Sequence, residues 1–533
     1  MINASYARRG IAVAPHSLAA QSALAVLREG GNAIEAMVAA AATISVVYPH
    51  MTGIGGDAFW LVAVPGEPPF AIDACGPAAG RATIGFYQER KLKSIPPRGA
   101  VAANTVAGTV AGWELALQIS RARWRGSMTR ARLFDDAIHY AETGVPVTAS
   151  QEAGTRTKRA ELENVPGFAA RFMPQGKAPE QGRLFFQRDL AQTMKQLAKA
   201  GLADFYRGDL ARSMAKDLAA LGSPLALADL EAYAAREAPP LELRHSLGRF
   251  YNMTPPTQGA VSLAILGILE RLGASTLEPE SAAYVHAVVE ATKAAFLGIR
   301  DPYLADPATM AVEPQALLEP ARLDALAAGV DLERARPWGG VSRPGGTVWM
   351  GAVDGAGRAA SFIQSLYYEF GSGVVLPGTH VNWQNRGCSF SLEAGRLNSL
   401  APGKKPFHTL NPALGRFTDG RVMVYGTMGG DGQPQTQAAV FTRYALFGQP
   451  LQHAVSAPRW LLGRTWGSMS ETLKLEARFA PQLIDELRRR GHEVEVLGDF
   501  DETMGHAGAL IRHPDGVLEG AADPRSDGGV AGF

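Results

Sequence analysis

Gly346 and Thr347 lie where a stretch rich in glycine and proline gives way to an apolar run, Arg343-Pro-Gly-Gly-Thr-Val-Trp-Met-Gly-Ala-Val-Asp354. A threonine inside a chain is an ordinary side chain, whereas one that begins a chain carries a hydroxyl nucleophile and a free α-amine base in one residue. Glycine suits the preceding position, because it leaves its carbonyl unshielded and tolerates the strain that intramolecular attack requires. The pair points to a chain that cuts itself between Gly346 and Thr347. Attack of the Thr347 hydroxyl on the Gly346 carbonyl would give an ester that water hydrolyses. The freed amine, with a reference pKa of about 7.7 to 8.0, would then serve as base at neutral pH, with no histidine or aspartate needed to complete a triad.

Met428-Gly-Gly-Asp-Gly432 is a second group with chemistry in it. Adjacent glycine N–H groups can stabilise an oxyanion, although the same residues read alone suit a strand-to-helix turn. No Walker pattern and no Gly-x-Gly-x-x-Gly after a strand occurs, which argues against nucleotide binding. The two cysteines, Cys75 and Cys388, are far apart and in no ligand spacing, so neither a disulfide framework nor a cysteine metal site is expected. His50 and Asp57 read as hydrogen-bonding loop residues. With no His, Asp and Glu cluster at metal spacing, no metal and no cofactor are expected.

These residues need a frame. Ser17 to Val47 reads as two helices punctuated by Gly30-Gly31-Asn32, with Asn32 capping the second. That second helix is apolar nearly all round, so it belongs between layers. The glycine-rich loop Pro49-His-Met-Thr-Gly-Ile-Gly-Gly-Asp57 follows, then a strand over Ala58 to Val64. Residues 111–328 read as mostly helical, and Leu332 to Gly346 as an exposed flexible connector. Thr347 to Val353 and Ala359 to Tyr367 form two strands around the turn Gly355-Ala-Gly357. If Asp354 pairs with Arg358, Ser365 faces Thr347 directly across the hairpin. A strand over Arg421 to Tyr425, a helix from Gln435, a helix over Pro481 to Arg490 and a strand over Glu493 to Leu497 complete a pattern of stacked sheets covered by helices.

The 533 residues are 46% hydrophobic and 19% charged, the profile of a large soluble globular protein with a substantial core. A net charge of +1 provides no basic stripe for nucleic acid and no polybasic membrane anchor, so the expected partner is a small molecule. The first residues lack the apolar stretch of a secretory signal, and the longest apolar run, Ala36 to Val47, is too short to span a bilayer. A cytoplasmic location is the expectation.

Several motifs in one order resemble the γ-glutamyltranspeptidase family of N-terminal-nucleophile hydrolases. They are Gly30-Gly-Asn-Ala-Ile-Glu-Ala36, Tyr48-Pro-His-Met-Thr-Gly-Ile-Gly-Gly56, Gly108-Thr-Val-Ala-Gly112, Phe370-Gly-Ser-Gly-Val-Val375, Gly429-Gly430 and Ala522-Asp-Pro-Arg-Ser526. The resemblance implies an αββα sandwich made as a proenzyme, cut into a large subunit (1–346) and a small one (347–533) that stay associated in one unit. A dimer of such heterodimers is left open. Thr347 matches the family's nucleophile, although its Thr-Thr-His continuation reads Thr347-Val348-Trp349 here. Ser365 falls on the hydroxyl residue that hydrogen-bonds the nucleophile, and Gly429 and Gly430 on the oxyanion donors.

Substrate recognition is where the chain departs from the family. The arginine expected near Cys75-Gly-Pro-Ala-Ala79 is absent, and the carboxylate expected in Gln384-Asn-Arg-Gly-Cys-Ser-Phe390 is Ser389. The family's paired serines become His408 and Thr409. A glutamyl zwitterion would be left poorly paired, at a cost of several kcal/mol. Arg386 is gained instead, and its fork suits a carboxylate. Together with Trp383-Gln-Asn385, Gly403 to Pro412 and Trp460-Leu-Leu-Gly-Arg-Thr-Trp466, this looks like the oxamate amidohydrolase branch, linked to bacterial purine-nitrogen salvage. That resemblance implies hydrolysis of oxamate to oxalate and ammonia, with Arg386 on the carboxylate and Asn385, Tyr367, His408 and Thr409 around the pocket. The alternatives are a glutaryl-type acylase, for which Tyr367, Tyr368, Phe370 and Trp383 would line an apolar pocket, a γ-glutamyl hydrolase or transferase, and an inactive binding protein or silent proenzyme.

Overall fold

The computed structural model describes residues 3–339, 345–464 and 470–533. Two seven-stranded sheets carry the fold. Across the first run Gly529–Gly532, Ile11–Ala14, Gly346–Val353, Ala359–Tyr367, Asp57–Ala63, Phe70–Ala74 and Arg236–Ala238. Across the second run Ser5–Ala7, Leu518–Ala522, Gly508–Arg512, Val422–Gly426, Ala413–Phe417, Gly248–Asn252 and Leu241–His245. Neighbours in both sheets are antiparallel.

Strand alternation sorts the apolar side chains into layers. Phe59, Leu61, Trp349, Val353 and Ile363 meet Leu414, Val424 and Leu510 between the sheets. Trp60, Val348, Met350, Ala352 and Phe362 point the other way, into a cluster with Ile34, Met37, Val38 and Ala41. On the far side, Phe250, Met423 and Tyr425 pack with residues of the helices Gly259–Arg271, Ala282–Ala295 and Gly432–Phe441. The expected αββα arrangement is present.

Every residue of the helix Ala33–Val47 is buried, as an all-round apolar pattern requires. Its start is closed by a capping box. Asn32 Oδ1 accepts from the Ile34 and Glu35 N–H groups at 3.1 and 3.2 Å, and Glu35 Oε2 accepts from the Asn32 N–H at 3.0 Å. Asp354, at the turn of the central hairpin, also reaches this helix end and accepts from the Ala33 N–H at 3.0 Å. The turn that sets the hairpin register is thereby tied to the positive end of a buried helix.

Within that hairpin the anticipated pairing holds from Val348 opposite Gln364 to Val353 opposite Ala359. It fails by one residue at the open end, where a bulge sets Gly346 opposite Tyr367. Thr347 therefore occupies the irregular step in the strand, with Ser365 still its neighbour.

Three expectations need correction. The stretch read as mostly helical also contains Leu241–His245 and Gly248–Asn252, two strands of the second sheet, and Arg236–Ala238, an edge of the first. Short alternating runs such as Leu-Glu-Leu-Arg-His were masked by the alanine-rich helices around them. The connector is largely exposed up to Gly339 but tethered there, and its last residues, Gly345 and Gly346, are buried. Ala335 N–H donates to Arg490 O at 2.7 Å, Arg336 N–H to Glu290 Oε2 at 3.1 Å, and Lys293 Nζ to Arg336 O at 2.6 Å. Its residues Gly340 to Pro344, like Thr465 and Trp466 of the tryptophan motif, lie outside the described residues. Asp57, read as a loop residue, instead opens a strand and pairs with Ser365. Among the described residues no helix is long and apolar enough to cross a membrane.

Candidate active site

Thr347 is 1% exposed, with its hydroxyl 2.7 Å from Gly346 O and 3.2 Å from Ser365 Oγ. Ser365 Oγ accepts from the Tyr367 N–H at 2.7 Å and donates to Gly346 O at 2.5 Å. The Ser365 proton is thus directed at the Gly346 carbonyl, which leaves its lone pair to accept the Thr347 proton. This arrangement can draw a proton from the Thr347 hydroxyl while polarising the Gly346 carbonyl. The glycine-rich loop explains why nothing larger fits behind it. A Cβ on Gly56 would lie 2.0 Å from Ser365 O.

Gly429 and Gly430 leave the strand Val422–Gly426 with φ of +124° and +55°, a conformation open to glycine and strained for other residues. Neither N–H meets an acceptor among the described residues. The same strand faces the strand Gly346–Val353, since a Cβ on Gly426 would strike the Trp349 indole at 2.3 Å. Next in sequence, Asp431 is held by Arg300 at 2.9 Å.

Arg386 is 1% exposed. Its Nη1 donates to Thr409 Oγ1 at 3.3 Å, while Nε and Nη2 have no partner among the described residues. The guanidinium lies 3.3 Å over the ring of Tyr367. Tyr367, opposite Gly346 in the hairpin, has a φ of +81°, which is strained for an aromatic residue. Arg386 is therefore brought together with Thr409 and with Tyr367, the residue opposite Gly346.

His408 and Asn385 occupy different surroundings. His408 Nε2 sits 2.9 Å from Asp57 Oδ2, and Nδ1 is buried with no partner among the described residues. Burial, and then the Arg386 charge, push the His408 pKa well below its usual value. Asp57 is pushed up to about 7 by burial, against the pull of Gly76 N–H, Gln384, Gly108 N–H and Arg386. Asn385 bonds the backbone at both ends of its amide, donating to Pro97 O at 2.8 Å and accepting from Tyr368 N–H at 3.1 Å. Its part is to fix the loop that carries Arg386. Ser389 donates to Phe407 O at 3.4 Å.

Two groups of ligand-type side chains meet from distant segments, which spacing along the sequence had no means of showing. One is Asp57, Cys75 and His408, and the other is His286, Glu290 and His492. In each, ligand atoms already engage one another or a lysine. His286 Nδ1 lies 2.8 Å from His492 Nε2, and Lys293 Nζ 2.7 Å from Glu290 Oε1. Neither cysteine forms a disulfide among the described residues.

A family model described as gamma-glutamyltranspeptidase matches residues 19–533. The chain belongs to the γ-glutamyltranspeptidase family. Within that family it is 58% identical over 533 residues to the oxamate amidohydrolase proenzyme of Klebsiella pneumoniae, covering the whole of both chains. It is 39% identical over 524 residues to a glutathione hydrolase-like proenzyme of Bacillus subtilis, covering 98% of each. Among solved structures, a cephalosporin acylase from Bacillus halodurans superposes with a TM-score of 0.90 at 31% identity, over 100% of this chain and 97% of that one. These relationships bear out the N-terminal-nucleophile hydrolase architecture and the expectation of an enzyme, a hydrolase of the amidohydrolase type.

Proposed function

We propose that the protein is a proenzyme that cuts itself between Gly346 and Thr347 and then hydrolyses oxamate to oxalate and ammonia through an ester on Thr347. The observation that carries this reading is Arg386, a buried cation over the ring of Tyr367 with two guanidinium nitrogens that have no partner among the described residues. An unpaired buried guanidinium is costly, and a small carboxylate is the partner its fork fits. The Klebsiella relative's name supports the same substrate.

In the cutting step Thr347 Oγ attacks the Gly346 carbonyl carbon, Ser365 relays the hydroxyl proton to the Thr347 nitrogen as the Gly346–Thr347 C–N bond breaks, and water hydrolyses the resulting ester. Both sheets draw strands from either side of the cut, so the two pieces remain interlocked. In turnover the Thr347 amine takes the hydroxyl proton and the hydroxyl attacks the oxamate amide carbon. The Gly429 and Gly430 N–H groups receive the oxyanion. The C–N bond breaks as the α-ammonium returns its proton to nitrogen, ammonia leaves, and water releases oxalate. Arg386, steadied by Thr409 and the Tyr367 ring, holds the carboxylate, and the Asp57–His408 pair lines the pocket.

Two of the four aromatic residues that would favour an acylase, Phe370 and Trp383, serve the core instead, and a third, Tyr367, lies under the Arg386 guanidinium. Phe370 packs against Phe168 and Phe172, and Trp383 stacks on Phe205 and donates to Thr105 O at 3.0 Å. Incubation of the cut protein with oxamate, a γ-glutamyl anilide and glutaryl amides tests the choice. Release of oxalate and ammonia from oxamate is expected, and turnover of the γ-glutamyl or glutaryl compounds alone would overturn it.

A further inference from the structure

Gln258 is fully buried at the N-cap of the helix Gly259–Arg271. Its Nε2 donates to two carbonyl oxygens, Thr409 O at 3.0 Å and Gly430 O at 2.9 Å. Carbonyl oxygens only accept, so these two bonds determine which end of the side-chain amide carries the nitrogen. Oε1 must then point away from both, and no donor meets it among the described residues. A buried acceptor without a donor is unfavourable, which makes this oxygen a position that a bound molecule would satisfy.

The location of Gln258 sets it apart from other buried amides. One of its partners, Gly430, has an N–H with no acceptor among the described residues. The other, Thr409, holds the guanidinium with two free nitrogens. A single side chain therefore joins the groups assigned above to the oxyanion and to the carboxylate. Those groups are all donors. An unsubstituted carboxamide bearing a carboxylate asks for one thing more, an acceptor for the N–H bonds of its leaving nitrogen.

We infer that Gln258 Oε1 accepts an N–H of the substrate's –NH2 group and makes the site selective for primary amides over N-substituted ones. The inference rests on the proposed function for where the substrate lies. Gln258 takes up no proton. It orients the nitrogen so that the proton returned by the Thr347 α-ammonium reaches the lone pair as the C–N bond breaks. A peptide or anilide nitrogen, with one hydrogen replaced by carbon, would bring its substituent against this oxygen.

The test compares kcat/KM for two matched pairs, oxamate with N-methyloxamate and glutaramate with N-methylglutaramate, in wild type, Gln258→Ala and Gln258→Met. Wild type is expected to favour the primary amide by about 100-fold or more, as sites built around a substrate N–H do. Both variants should lower that ratio by roughly tenfold or more. Methionine refills the volume without an acceptor, so it separates hydrogen bonding from space, and complete self-cleavage on a denaturing gel shows that each variant has assembled. Equal wild-type turnover of a primary amide and its N-methyl partner overturns the inference without any variant. So does a parallel fall of both members of a pair in the variants, which is what a purely structural glutamine would produce. Turnover confined to the glutaramate pair with a variant-sensitive ratio would overturn the oxamate reading and leave the role of Gln258 standing. Turnover of neither pair would overturn both.

Discussion

Thr347→Ala is expected to remain a single 533-residue chain with no oxamate turnover above background. The substitution removes the nucleophile of both reactions, so cutting and catalysis should vanish together. Loss of a nucleophile in a hydrolase that works as a unit costs about a million-fold in kcat. The fold should survive, because only the hydroxyl contacts to Gly346 O and Ser365 are lost, at about 1 kcal/mol. A denaturing gel, an ammonia-release assay and a melting curve check the three parts. Thr347→Ser keeps a hydroxyl and an α-amine, and it should restore both cutting and turnover.

The second large effect falls on Arg386. Arg386→Met removes the proposed partner of the substrate carboxylate, and breaking a buried ionic contact costs about 3 to 5 kcal/mol. That corresponds to a fall of roughly two to three and a half orders of magnitude in kcat/KM for oxamate. Stability should move the other way. The variant replaces a buried guanidinium having two unpaired nitrogens with an apolar chain of similar length, so the melting temperature should rise. Self-cleavage should proceed, because Thr347, Ser365 and Gly346 are untouched. Arg386→Lys keeps the charge but loses the fork and the stacking on Tyr367, and an intermediate loss is expected. A variant that lost stability and activity together would mark Arg386 as a structural residue.

Part of this site is readable along the chain because local rules govern it. Asp354 and Arg358 close a tight turn, and strand pairing then carries Ser365 to Thr347. The bulge at Thr347 is not readable that way, since counting from a turn assumes regular pairing up to the strand end. Asn32 and Glu35 spell out their own capping box, and the buried helix shows in its composition. The strands Leu241–His245 and Gly248–Asn252 are short, and their burial comes from Phe417 and Phe441, residues far along the chain. Asp57 looks like a loop residue because its partners Gly76, Gly108 and His408 come from three separate segments. Gln258 has no local signal, as its significance lies in two carbonyls more than 150 residues away. Asn385 shows that neighbours in sequence need not share contacts. A polar residue beside Arg386 reads as a ligand, but backbone groups take up its amide.

Mass spectrometry with N-terminal sequencing of wild-type protein that is turning over oxamate tests the central claim most directly. Two fragments are expected, the smaller beginning at Thr347 with a free α-amine, and activity should rise in step with their formation. An active protein whose chain is uncut, or whose smaller fragment begins at any other residue, would contradict it.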